Sequence, residues 1–172
     1  MLQPGQRAPS FELPGTGGDG VSTHALDSYL DRGWTVVLVF YPFDFHPACV
    51  SRLCALRDAD WLTLEDDVAV LGIGTDSAHS HQVFARREDV GFPLLSDSDG
   101  RVSEAYGVLH DEFEGHRDVA ASALFVVDTG GEVTYAWRGD GPGDALDLHA
   151  VRTAVRETGE DAARDAPDDS AA

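Results

Sequence analysis

An α/β fold, with a central mixed sheet flanked by helices and an N-terminal hairpin ahead of it, is what three features of the sequence predict. Residues 34–41 are nearly continuous in Val, Leu and Phe, the pattern of a strand covered on both faces. A second apolar run, 68–73, follows a helical stretch, so strand, helix and strand come at lengths suited to a right-handed parallel crossover. Residues 124–127 and 132–137 flank Asp128-Thr129-Gly130-Gly131, turn residues between two β-prone runs that predict an antiparallel hairpin.

The remaining elements follow in order. Residues 3–20 are rich in Pro and Gly with one short apolar piece at 11–13, an extended arm whose hairpin partner is 21–23. A short helix covers 25–30. Pro42 stops the first central strand, and Pro47 fits the first turn of a helix, where its missing N–H costs nothing. Leu53, Leu56 and Leu64 then share a face with Cys49. Residues 77–88 read as helix, 92–95 as a short strand and 101–106 as a brief helix. The Gly72-Ile73-Gly74 segment lacks the rest of a dinucleotide fingerprint and reads as a strand-to-loop turn. A last helix is expected over 145–157, with Leu148, Val151 and Val155 inward. From Gly159 onward there is no large apolar residue to offset ordering entropy. One domain over 1–158 and an acidic disordered tail over 159–172 are therefore expected.

The 172 residues carry 31 Asp plus Glu against 12 Lys plus Arg, a formal charge of −19, and every one of those cations is arginine. So negative a field repels phosphate backbones and anionic lipid surfaces, which argues against nucleic-acid and membrane partners and leaves small neutral substrates open. Acidic, lysine-free surfaces resemble those of proteins from salt-loving organisms, where salt screens the mutual repulsion of carboxylates. The longest apolar stretch is too short to span a bilayer and no apolar leader follows Met1, so a cytoplasmic protein is expected. In a reducing compartment two close cysteines, Cys49 and Cys54, point to reactivity or metal binding rather than to a structural staple.

With Pro47 as the first helical residue, Cys49 sits in the first turn, where unpaired N–H groups and the positive dipole end favour thiolate. That geometry predicts a pKa below the free value of about 8.5. Cys54 is five residues on; in an intact helix the two side chains diverge by about 140° and sit more than about 7 Å apart along the axis. A disulfide between them requires the first turns to unwind, which suggests a folded reduced state and a locally melted oxidised one. Spacing alone leaves open that one or both are small buried apolar residues.

The chain as a whole resembles a peroxiredoxin, of the Q-type or bacterioferritin-comigratory-protein branch. The resemblance is carried by Tyr41-Pro42, Cys49 seven residues after Pro42, Cys54, Phe92-Pro93-Leu94-Leu95-Ser96-Asp97, Tyr106-Gly107-Val108 and Phe125-Val126-Val127-Asp128. It implies a thioredoxin-like fold, Cys49 as peroxidatic cysteine, Cys54 as resolving cysteine and Pro42 as the active-site proline. It further implies a hydroperoxide substrate, a thioredoxin-like dithiol reductant and no cofactor, with monomer and homodimer both open.

Two positions depart from the family pattern. His46 stands where Thr or Ser is usual, and an imidazole can donate a hydrogen bond or, when protonated, lower the cysteine pKa. Ser122 stands where the family places an arginine, three residues before Phe125; Arg117 and Arg138 are the nearest candidates to lend a cation. The alternative to a peroxidase is accordingly a catalytically weak redox sensor on the same fold. A metal site built from His46, Cys49 and Cys54 with His79 or His81 does not match zinc spacings. His79 and His81 are expected in solvent, as are Arg52 and Arg57 in surface ion pairs, with Asp44 capping or bending its loop. Trp34, Trp61, Trp137, Phe40, Phe45 and Phe125 are expected in the core or as walls of the site.

Overall fold

The computed structural model describes residues 1–17, 20–63, 65–141 and 143–165. In chain order its elements are β1 (Glu12–Gly17), β2 (Gly20–Ala25), α1 (Leu26–Leu30), β3 (Thr35–Phe40), α2 (Pro47–Arg57), α3 (Asp60–Thr63), β4 (Val68–Gly74) and α4 (Ala78–Arg87). There follow β5 (Leu94–Ser96), α5 (Arg101–Ala105), β6 (Leu109–Phe113), β7 (His116–Ala120), β8 (Ala123–Val127), β9 (Val133–Arg138) and α6 (Leu148–Asp165).

Among the described residues, seven strands form one mixed sheet in the order β2-β1-β5-β4-β3-β8-β9. β3 and β4 are parallel, as are β4 and β5, while the remaining pairs are antiparallel. Every residue of β3 is buried, and the period of two divides them between two cores. Val36, Leu38 and Phe40 face a core with Phe11, Leu26, Tyr106 and Phe125. Val37, Val39 and the following Tyr41 face a second core with Leu53, Leu56, Phe84, Val151, Val155 and Cys49. The cysteine is thus packed within the second core, where α2, α4 and α6 contribute side chains.

The structure alters several expectations. The glycines of the Gly72-Ile73-Gly74 segment lie inside β4, and a Cβ at Gly74 would come 3.1 Å from the Tyr41 ring and 3.3 Å from that of His81. Close packing of two rings on the strand, not a turn, is what requires glycine there. The last helix starts at Leu148, where the Asp147 carboxylate accepts from His149 N (2.9 Å) and Ala150 N (3.1 Å). It runs on to Asp165, so residues 159–165, which composition placed in a disordered tail, are helical. Alanine, glutamate and arginine are good helix formers, and propagation adds a hydrogen bond per residue even where no apolar stripe remains. Residues 166–172 of that tail, and Leu64, lie outside the described residues.

β6 and β7 form a separate two-stranded hairpin that apolar alternation does not reveal. Its turn is made by Glu114 (φ 50°) and Gly115 (φ 81°), both left-handed as a tight hairpin turn requires, but without the Asn-Gly or Asp-Gly signature that would betray it.

Candidate active site

β3 delivers the chain to Tyr41, whose N–H bonds Ile73 O at 3.0 Å and whose ring packs on Gly74. Pro42, buried, follows, and the loop 43–46 turns through a left-handed Phe45 (φ 60°) into α2. His46 is the N-cap, its Nδ1 accepting from Ala48 N at 3.3 Å, with Pro47 in the first turn. Since Nδ1 accepts, Nε2 carries the proton, and it points at Glu114 of the β6–β7 turn, 3.6 Å away. The imidazole is therefore committed to the helix end and the hairpin tip. Phe43 stacks beside Phe113 (5.9 Å between centroids) and His116 (4.9 Å), so the hairpin covers the loop.

Cys49, fully buried, is the third helical residue of α2. Burial is the largest influence on its thiol and pushes the pKa up; a hydrogen bond from the Phe43 backbone and the charge of Arg52 pull it down, while Asp44 and Asp76 push it up again. The net direction is upward. The sequence-based expectation of a depressed pKa is thus corrected: desolvation, helped by Asp44 and Asp76, outweighs the hydrogen bond and the cation that favour the thiolate. Cys54, partly exposed and unbonded to Cys49, lies in the same unbroken helix among Arg57, Asp58 and Glu88, and burial raises its pKa as well.

Beneath the loop lies a buried polar network. The Asp44 carboxylate accepts from Tyr41 OH (3.1 Å) and Ser80 Oγ (2.8 Å), and sits 2.9 Å from His81 Nδ1. His81 Nε2 donates to Leu95 O at 3.1 Å, so both ring nitrogens face acceptors. The Asp44 N–H bonds Asp76 Oδ2 at 2.7 Å, tying the loop to the end of β4. Tyr41 is held well above its usual pKa, first by burial, then by Asp44, Asp76 and Cys49. His81 is fully buried, against the expectation of solvent exposure: it lies on the inner face of α4 with Phe84, three residues on. Phe45 departs the other way, 43% exposed, its ring against Phe84 and under Arg87.

Arg52, expected in a surface ion pair, is instead buried, 7% exposed. Its guanidinium carbon is 5.1 Å from the Trp137 ring centroid, and Nη2 donates to Asp144 O at 2.7 Å. Arg57 does keep to the surface, pairing Asp58 at 2.7 Å. Ser122 is 2% exposed, its Oγ without a hydrogen-bond partner, and extending the β3–β8 register places it opposite Tyr41. Neither strand-borne candidate cation is turned to Cys49: Arg117 is exposed opposite Glu112, and Arg138 donates to Gly107 O at 3.3 Å. Among the described residues no three His, Cys, Asp or Glu side chains gather as a metal-ligand set.

A reactive-thiol geometry on this sheet directs attention to proteins built the same way. Residues 4–136 match the AhpC/TSA family. Peroxiredoxin Bcp of Bacillus subtilis is 32% identical over 139 residues, covering 80% of this chain and 85% of its own. The chain belongs to the AhpC/TSA family of peroxiredoxins. Peroxidoxin BcpB of Mycobacterium tuberculosis superposes on this peroxiredoxin with a TM-score of 0.77 at 28% identity, over 91% of this chain and 98% of that one. The reduced 2-Cys peroxiredoxin of Plasmodium vivax shares the fold, with a TM-score of 0.81 at 24% identity over 93% of this chain and 83% of its own. The thioredoxin-like fold that the resemblance implied is the fold observed.

Sequence reasoning picked out Cys49, Cys54, Pro42 and His46, but not the buried roles of Arg52, Asp44 and His81. One signal was available for two of them. Arg52 follows Cys49 by three residues and His81 precedes Phe84 by three, spacings that put each beside a core residue on its helix.

Proposed function

We propose that this peroxiredoxin reduces hydrogen peroxide or an organic hydroperoxide, with Cys49 as the attacking thiol and Cys54 as the resolving one. The observation that carries the reading is a buried cysteine in the first turn of α2, in a peroxiredoxin chain with a second thiol on the same helix. The Cys49 thiolate attacks one oxygen of the O–O bond. Sulfur is oxidised to a sulfenic acid, and the other oxygen leaves as hydroxide or alkoxide and takes up a proton to give water or alcohol. The Cys54 thiol then attacks the sulfenic sulfur; the S–S bond forms, the S–O bond breaks and water departs with the Cys54 proton. A thioredoxin-type dithiol restores both thiols by exchange and is itself oxidised to a disulfide.

Resolution requires the first turns of α2 to open, releasing the His46 to Ala48 cap. An uncharged peroxide is not repelled by the acidic surface. Family membership favours turnover over the slow-sensor alternative. The cycle needs a reducing compartment, which on this reading is a cytoplasm. The lysine-free, acidic surface fits a salt-rich one; the melting temperature should then rise with added potassium chloride, and a flat or falling response would count against salt adaptation.

Peroxide consumption with thioredoxin and its reductase tests the main reading. Cys49→Ser should abolish turnover. Cys54→Ser should keep the first oxidation, trappable as a sulfenic acid, and form no internal disulfide. Undiminished turnover in Cys49→Ser would sink the proposal.

A further inference from the structure

Arg52 is the one buried arginine among those whose side chains are described, the others of that set reaching solvent at least in part. Withdrawing a full charge from water costs several kcal/mol, so its surroundings should contain what offsets that cost. It lies one helical turn beyond Cys49, an i,i+3 pair whose side chains are neighbours, and both are buried. The guanidinium is clamped: the Trp137 ring lies 5.1 Å from its carbon, and the Asp144 main-chain oxygen accepts from Nη2 at 2.7 Å.

Among the groups near it, Asp144 and Cys49 are anionic or can become so. The Asp144 carboxylate is engaged in its own loop, Oδ2 accepting from Asp140 N at 2.6 Å and Gly141 N at 3.1 Å. Cys49 carries charge only as a thiolate, and in that form it favours the charged guanidinium, as Asp144 also does. The groups facing Cys49 from the other elements are Asp44 and Asp76, which oppose its ionisation, and the Tyr41 phenol, with His81 beyond Asp44. Arg52 is the cation acting on it.

The clamp is built from β9 and the loop that follows it, next to Ser122. Gly139 N bonds Ser122 O at 3.0 Å, and a Cβ at Gly139 would come 3.1 Å from the Trp137 ring and 3.2 Å from Asp144 Cβ. Glycine at 139 therefore lets the ring and the loop close around the guanidinium, beside a strand position that bears serine.

We propose that Arg52 is a positioning residue of this site, supplying from within α2, and not from a neighbouring strand, the positive charge that favours the Cys49 thiolate. Its consequence for turnover rests on Cys49 being the peroxide-attacking thiol; its effect on ionisation does not.

The test is the pH dependence of Cys49 alkylation by iodoacetamide in the Cys54→Ser background. Arg52→Gln should move the profile to higher pH and slow alkylation at pH 7 about tenfold, while Arg52→Lys keeps most of the rate. Coincident profiles for Arg52→Gln and its parent, at equal melting temperature, would overturn the assignment. Should Arg52→Gln fail to fold, nitrogen NMR of the parent decides: the Arg52 Nε resonance should titrate with Cys49 and lose that step in Cys49→Ser, and a flat resonance overturns it. Profiles that shift as expected in a protein that consumes no peroxide would uphold the role of Arg52 and refute the peroxidase reading.

Discussion

Two sets of groups act on Cys49: Asp44 and Asp76, with Tyr41 and His81 on the Asp44 carboxylate, and Arg52, with Trp137 and Asp144 on its guanidinium. Both sets bury charge, yet they are built differently. Asp44 gathers hydrogen bonds from a phenol and a hydroxyl and pairs with an imidazole, each at 3.1 Å or less, and so holds the loop 41–46 to α4 and β4. Among the contacts of Arg52 are a ring face and a main-chain oxygen, which orient its guanidinium. Both sets of charges act on the thiol, in opposite directions.

The comparison can be broken most forcefully at Asp44. Asp44→Ala strips the partner from Tyr41, Ser80 and His81 together and should cost about 3–5 kcal/mol in urea denaturation, as breaking a buried pair does. A loss under about 1 kcal/mol would mean that the network does not hold the fold. A second expectation concerns pH. Burial and two carboxylates favour the neutral thiol over the pull of Arg52, so alkylation of Cys49 should still be rising above pH 8.5, the ordinary cysteine value, in the reduced protein. A plateau already reached at pH 7 would show that the cationic side prevails. The smallest effect is expected at Asp76. Asp76→Asn keeps an acceptor for Asp44 N–H but removes a charge that opposes the thiolate, so alkylation at pH 7 should quicken about two- to threefold with little change in melting temperature. A slower reaction would reverse the assigned sign.

Much of the fold was legible in the residues. The continuous apolar run of β3, the parallel crossover to β4 and the turn before β9 carry periodicities that hold whatever surrounds them. The β6–β7 hairpin was not legible, because its strands are half polar and its turn is Glu-Gly. The far half of α6 escaped for the opposite reason: composition suggested disorder, while helix propensity and propagation carried the helix on. At the site, Pro47 and Cys49 could be placed because a helix N-terminus is a local event, with its own residue preferences. Arg52 and His81 could not, because a polar side chain on a helix goes to water unless something distant in sequence receives it. Trp137 and Asp144 receive the first, and Asp44 and Leu95 receive the second.

The sequence by itself therefore determined the α/β class, the helix that begins at Pro47 with Cys49 in its first turn, and the second thiol five residues on. These depend on local sterics, capping and period. Only the tertiary structure decided which charges surround that thiol and in what direction they move it. Coulomb interaction and desolvation depend on distance and burial, and the partners that hold Asp44 and Arg52 in place come from 32 and 92 positions away along the chain.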